Sequence, residues 1–293
     1  MKERAIQFGP ERRLLGILSL PTQPDPERPA LILPNTGFEH RAGPNRLHVH
    51  LARAFAQAGY VALRLDLSGL GDSGTPRELG TQDPVADLGS AMDELQRIGL
   101  ARRCVPLGLC SGGNDAHRFA KADERVAGAA FLDHYLYATP RSRSISLAQK
   151  VTDPKRIIGF LERKLRELAP AEGEAYAVDE SSYFEQPEQA VFCEDLAGFM
   201  ARGLPLFFLF SGEYQQVYNY PEQLHEVCPP LRDYPLHQLH YFADADHTFT
   251  RAQMRARLIE ALCAWLDGGV LGAEGALPPT AAQWRPMASA ANT

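Results

Sequence analysis

Short apolar runs alternate along this chain with stretches of helical spacing, and few folds accept that rhythm. "ALILP" (Ala30 to Pro34), "YVALRLDL" (Tyr60 to Leu67), Cys104 to Leu109, "VAGAAFLD" (Val126 to Asp133), "LPLFFLF" (Leu204 to Phe210) and "LHQLHYF" (Leu236 to Phe242) all read as strands. Continuous apolar runs mark strands buried on both faces. Between them, Arg46 to Tyr60, Pro84 to Ile98, the residues after Leu109, "PEQLHEV" and "RAQMRARLIEALCAWL" (Arg251 to Leu266) read as helices. Strand and helix in alternation predict an α/β fold, a mostly parallel sheet with helices on both faces. An opening pair, Ala5 to Phe8 and Leu14 to Leu20, reads as an antiparallel hairpin.

The rhythm breaks between Tyr135 and Gly203. That stretch is polar, carries a helix signal over Asp153 to Leu168 with Asp at the cap and Pro at its first position, and contains the aromatic "SSYFEQPEQAVF". The expected organisation is a core of 1–134 and 204–268, a lid insertion of 135–203 and a poorly ordered tail of 269–293 rich in Ala, Gly and Pro.

"LGLCSGGNDA" (Leu107 to Ala116) joins a buried strand to a helix. A sharp strand-to-helix turn that projects a nucleophile needs small residues two before and two after it. Cys110 satisfies that spacing with Gly108 and Gly112, whereas Ser111 would put Leu109 in a crowded position. The bland alternative is a buried free cysteine before a glycine-rich helix start. A nucleophile needs a base and a group that orients it. His247, in "FADADHTFT" after the last strand, is the base candidate. Glu213, in "SGEY" after "PLFFLF", is the preferred acid, and Asp133, at the end of the preceding strand, is the alternative. Asp244 and Asp246 sit too close to His247 in sequence and read as loop caps.

A developing oxyanion needs backbone donors, expected from Ser111 at the helix N-terminus and from Thr36, Gly37 or Phe38 in the turn after "LILP". The same helix end favours Cys110 as a thiolate. Arg41, Asn45 and Arg46, close to that turn, either contact a polar substrate or brace it. Tyr176, Tyr183, Phe184 and Phe192 are candidate walls for an acyl group. His48 and His50, two apart on a helix, cannot share a face, so no metal site is expected. "GLGDSG" and "CSGG" lack the spacing and following lysine of a phosphate loop, and no cofactor is expected.

Composition narrows the partners. Of 293 residues 45% are hydrophobic and 23% charged, with a net charge of −6. That balance, without a basic patch, argues against nucleic acid. No run approaches the ~18 apolar residues of a membrane span, and "MKERAIQFGP" has no signal-peptide core. Five scattered cysteines without paired spacing predict reduced thiols and a cytoplasmic protein.

From Leu14 to Leu266 these segments together resemble the α/β-hydrolase superfamily: "NTGFEHR", "DLSGLGDSG", "GLCSGG" and "DADHTF" follow successive strands. The likeness is to serine-aminopeptidase-like and exosortase-associated hydrolases, where segments similar to "HRAGPNRLHVHLARAFAQAGYVALRLDLSGLGDS" and "GLCSGG" occur together. The resemblance implies an eight-stranded sheet, a lid after strand six and a triad of Cys110, His247 and Glu213 or Asp133. Cysteine in place of the usual serine is similar to dienelactone hydrolases and polyester synthases. The implied substrate is a small-molecule ester or thioester, carrier-bound and CoA thioesters included. Hydrolysis, transfer of the acyl group to an amine or alcohol, and non-catalytic binding remain open.

Overall fold

The computed structural model describes residues 1–74, 83–152 and 186–272. Eight strands form one sheet: β1 (Lys2–Phe8), β2 (Leu14–Leu20), β3 (Ala30–Leu33), β4 (Ala62–Asp66), β5 (Cys104–Leu109), β6 (Ala129–Leu132), β7 (Leu206–Ser211) and β8 (His237–Phe242). Their order is β1-β2-β4-β3-β5-β6-β7-β8. The opening hairpin is antiparallel and joins the sheet antiparallel to β4; the pairs from β4 through β8 are parallel. The six residues of β5 and the six of β7 are all buried, as their apolar runs predict, with Ser211 the one polar residue among them.

The helices are α1 (Leu47–Gln57), α2 (Pro84–Arg97), α3 (Ser111–Ala122), α4 (Pro140–Thr152), α5 (Gln189–Ala201), α6 (Gln223–Val227) and α7 (Ala252–Trp265). Leu51 and Phe55 of α1 join Leu258 and Leu262 of α7 in one apolar layer. Leu88 and Met92 of α2, Phe119 of α3 and Phe192 and Phe199 of α5 form the other layer. These five helices bury apolar residues in the two layers that cover the sheet. Asp83 starts α2 by accepting the Val85 N–H at 2.9 Å, with Pro84 at the first helical position.

Three expectations change. Gln189–Ala201, inside the stretch read as a lid, packs Phe192, Leu196 and Phe199 into the core, because α5 must cover the sheet face beside α3. The tail boundary moves too: the chain stays helical to Val270, whose side chain is 1% exposed. Cys193 and Cys228 form a disulfide, leaving Cys104, Cys110 and Cys263 free, so the expectation of five reduced thiols does not hold. Spacing of 35 residues carries no pairing signal in sequence; tertiary packing of α5 against the end of α6 creates it. The expected helix Asp153 to Leu168 and the tail beyond 272 lie outside the described residues. No helix among the described residues is long and apolar enough to cross a membrane.

In a parallel sheet, ligands gather at the carboxyl ends of strands where the chain reverses its direction of winding. Here β3 lies between β4 and β5, so the turn after β3 and the turn after β5 sit side by side at that end.

Candidate active site

Cys110 occupies the turn between β5 and α3 with φ 56° and ψ −123°. A non-glycine residue with positive φ is unusual and lifts its side chain out of the strand direction. Three glycines make room for the turn. A Cβ on Gly108 would collide with the Gly112 carbonyl, one on Gly112 with the Asn35 carbonyl, and one on Gly113 with His134. Crowding therefore falls on both residues that frame Cys110 at two positions' distance. Backbone register fixes the rest: Cys110 N–H donates to Leu132 O at 2.9 Å, and Asp133 N–H to Leu209 O at 2.8 Å, so neighbouring strand ends carry the two residues.

Asp133 is 4% exposed and also has positive φ, 46°. It accepts the Ser211 N–H and the Ser211 hydroxyl, both at 2.6 Å, and His247 Nδ1 donates to its Oδ2 at 2.8 Å. Cys110 also faces His247 and, like Asp133, favours its charged ring. Burial disfavours the charged ring, yet the bonds to Asp133 and Cys110 outweigh it and raise the imidazole to about 9. Tyr214 meets the ring edge-on, its centroid 4.9 Å away. Asp246 holds the loop from below: it accepts the Thr250 N–H at 3.0 Å and the Thr248 hydroxyl at 2.9 Å, the capping role expected for it.

Of the two acid candidates, Asp133 and not the preferred Glu213 is the one in contact with His247. Glu213 follows β7 in a short 3-10 turn and its side chain is exposed, whereas Asp133 is buried against His247. After Ser211 the chain turns tightly at Gly212, where a Cβ would strike the Ala243 carbonyl, and this turn carries Glu213 outward.

Of the expected oxyanion donors, Ser111 is the first residue of α3, a position whose N–H has no acceptor within a helix. Its hydroxyl oxygen accepts the Gly37 N–H at 2.7 Å, which pins the turn after β3 to the start of α3. Thr36 Oγ1 lies 3.3 Å from His48 Nε2, and the ring of Phe38 is 53% exposed beside the turn. Burial pushes His48 down to about 4, so it serves as a neutral core hydrogen-bonding group.

Arg41 is spent on the scaffold. Its N–H donates to Asp66 Oδ1 at 2.6 Å and its guanidinium reaches Asp66 at 2.5 Å and Asp72 at 2.7 Å. Asn35 bridges the same carboxylate, 3.0 Å away, so one buried aspartate organises the loops after β3 and β4. Asn45 donates to Thr248 Oγ1 and Thr250 Oγ1 at 3.1 and 3.2 Å, tying its own turn to the His247 loop, and Arg46 is exposed with φ 59°. Tyr176, Tyr183 and Phe184 lie outside the described residues, and Phe192 is buried in the core rather than lining a cavity.

Two cavities adjoin beside the turn at Cys110 and share part of their lining. One of about 130 Å³ is lined by Cys110, Asp133, Leu136 and Tyr214. The other, about 1050 Å³, starts at Gly37 and Ser111 and runs along α3 past Asp115, His117, Arg118 and Lys121. Asn114, Tyr135 and Gln186 line both. The sequence reading missed these three, together with Ser211 and Tyr214. For Asn114 a signal existed, since it lies four residues after Cys110 on the following helix.

The sequence matches no protein-family model and no curated protein. Solved structures do share its architecture. An esterase of Pyrococcus furiosus superposes with a TM-score of 0.60 at 14% identity, over 92% of this chain and 91% of that one. Est1E of Butyrivibrio proteoclasticus with ferulic acid bound gives 0.56 at 14%, over 88% and 96%. A thioesterase domain from the curacin biosynthetic pathway gives 0.53 at 15%, over 91% and 99%. With its eight-stranded, mostly parallel sheet and flanking helices, this chain has the α/β-hydrolase fold.

Proposed function

We propose that this protein cleaves an ester or thioester through an acyl group carried on Cys110. The observation that supports this most is the chain of contacts from Asp133 through His247 to Cys110, with Cys110 on a strained turn at a helix N-terminus. His247 takes the thiol proton of Cys110, and the raised imidazole holds it for the leaving atom. The thiolate sulfur attacks the carbonyl carbon, the C–S bond forms, and the carbonyl π pair moves onto oxygen. Ser111 N–H, with a donor from the turn at Thr36 to Phe38 other than the Gly37 N–H, which the Ser111 hydroxyl holds, stabilises that oxyanion. The oxyanion then collapses, the bond to the leaving oxygen or sulfur breaks, and His247 gives that atom its proton. In the second half His247 takes a proton from water, whose oxygen attacks the acyl-cysteine and releases the acid and the thiolate.

The cavity of about 1050 Å³ supports a second outcome, in which an amine or alcohol replaces that water. The solved structures that share this fold include an esterase, Est1E with ferulic acid bound and a thioesterase domain, which favours hydrolysis as the default. The test is intact mass after brief exposure to p-nitrophenyl acetate and acid quench. An acetyl adduct is expected on the wild type and on Ser111→Ala, and none on Cys110→Ala. An adduct that survives in Cys110→Ala and disappears in Ser111→Ala overturns the assignment.

A further inference from the structure

Two buried histidines that take no part in the chemistry above stand beside the acid. His134 directly follows Asp133, and both it and His117 of α3 are 1% exposed. The ring of His134 stacks on Phe131 at 4.5 Å between centroids and meets Tyr135 at 4.4 Å and Phe192 at 5.7 Å. A Cβ on Gly113 would come within 2.7 Å of the His134 Cβ, so this residue also presses on the first turn of α3, just past Cys110.

A phenyl ring could pack in the same place, and an imidazole there carries an extra cost. Its Nδ1 is buried and has no hydrogen-bond partner. The other nitrogen is the one in use. Lys121 reaches Asp195 Oδ1 at 2.5 Å, His117 Nε2 lies 3.2 Å from Asp195 Oδ2, and His134 Nε2 lies 3.4 Å from His117 Nδ1. Burial opposes ionisation of Asp195, but His117 and Lys121 hold its carboxyl below the usual range. Burial pushes both imidazoles down, so both are neutral at pH 7. These states leave one arrangement of protons. A carboxylate only accepts, so His117 Nε2 carries the hydrogen and its Nδ1 is a bare acceptor. His134 Nε2–H then donates to it. A line of contacts therefore runs from the Lys121 and Asp195 pair, on the wall of the large cavity, to the residue beside Asp133.

The backbone shows what this line holds. Asp133 and Tyr135, on either side of His134, both have positive φ, 46° and 37°. Non-glycine residues stay in that region only where their surroundings over-determine them. Asp133 is held on the β7 side, by Leu209 O and by Ser211. From this we infer that His134 is a positioning residue: anchored through His117 to Asp195, it holds the turn 133–135 in the form that aims the Asp133 carboxylate at His247. The inference deepens the triad proposed above and rests on it.

Four variants test it on the full chain. His134→Phe keeps an aromatic ring and loses the donor, whereas His134→Gln loses the ring and keeps an N–H near the position of Nε2. Asp195→Leu and Asp195→Asn repeat the comparison at the outer end, where asparagine keeps an acceptor oxygen and leucine has none. Asp195 lies at the cavity wall, so the outer pair still decides the matter if a core variant does not fold, which circular dichroism reports. Two quantities are read: the His247 midpoint, followed without substrate through its ring proton resonances, and the rate at which p-nitrophenyl acetate acylates Cys110. Asp133 and Cys110 supply the charge that raises His247, and Asp195→Asn controls for the charge removed at 195. His134→Phe and Asp195→Leu are expected to lower the midpoint by about one pH unit, the low end of what a charged partner supplies. They should also slow acylation by about tenfold or more, since a small misplacement of a catalytic group is costly. His134→Gln and Asp195→Asn should stay close to wild type. A role in packing alone predicts the reverse, with phenylalanine the better replacement for His134 and the midpoint unmoved in every folded variant. That result, or an unmoved midpoint in folded Asp195→Leu, overturns the inference and leaves the acyl-enzyme intact. No acylation of the wild type overturns the acyl-enzyme, and the midpoints then decide the positioning role by themselves.

Discussion

Asp133 reaches His247 because β6 ends one residue before it and β7 supplies Ser211 to hold its carboxylate. Two serine donors and the imidazole take up its oxygens, so the carboxylate is held as an acceptor and orients the ring. The raised His247 has a consequence for pH. The imidazole titrates near 6.5 when free and near 9 in the folded chain, so the fold binds this proton more tightly than the unfolded chain does. The stability it contributes is fully present below about pH 6.5 and is lost as pH rises through about 9. Asp133→Asn should lower the His247 midpoint, followed through its ring proton resonances, and, under the proposed mechanism, should slow acylation of Cys110 by several decades, since a triad acts as a unit. Glu213→Gln, in an exposed side chain, should leave the midpoint and the rate close to wild type. The opposite pattern would return the acid role to Glu213.

At the scale of elements, the strand-turn-helix of β5 and α3 is the most tightly specified piece of the chain. Gly108 lies under Gly112, and Gly112 under Asn35, so the turn at Cys110, the helix start and the turn after β3 are packed backbone to backbone. The bond from Gly37 N–H to the Ser111 hydroxyl closes the same contact from above. Gly108→Ala adds a methyl with nowhere to go except into the Gly112 carbonyl, and either the strand or the helix start must shift. A loss of about 1–3 kcal/mol is expected from such overpacking, read by urea unfolding. Cys110 acylation should fall by more than that stability loss explains, because the turn that aims the thiol has moved. An alanine variant with wild-type stability and acylation would mean that the backbone contact is not needed.

Across the whole molecule, the disulfide joins α5 to the end of α6 and encloses β7, the strand beside the one that delivers Asp133. Under denaturing conditions three thiols should titrate before reduction and five after it. Cys228→Ser should cost about 2–4 kcal/mol by freeing a long loop in the unfolded chain. Five thiols in the unreduced protein would refute the bridge. The sequence by itself determined the alternation of buried strands and one-sided helices, the Gly108 and Gly112 frame around Cys110, and His247 after the last strand. These are local matters: burial on both faces leaves a run of apolar residues, and a crowded turn demands glycine within two positions. Only the tertiary structure put Asp133 rather than Glu213 against His247, made α5 part of the core, paired Cys193 with Cys228 and spent Arg41 on Asp66. Each of those depends on which distant residues meet. Strand order and register decide that, and spacing along the chain does not encode it.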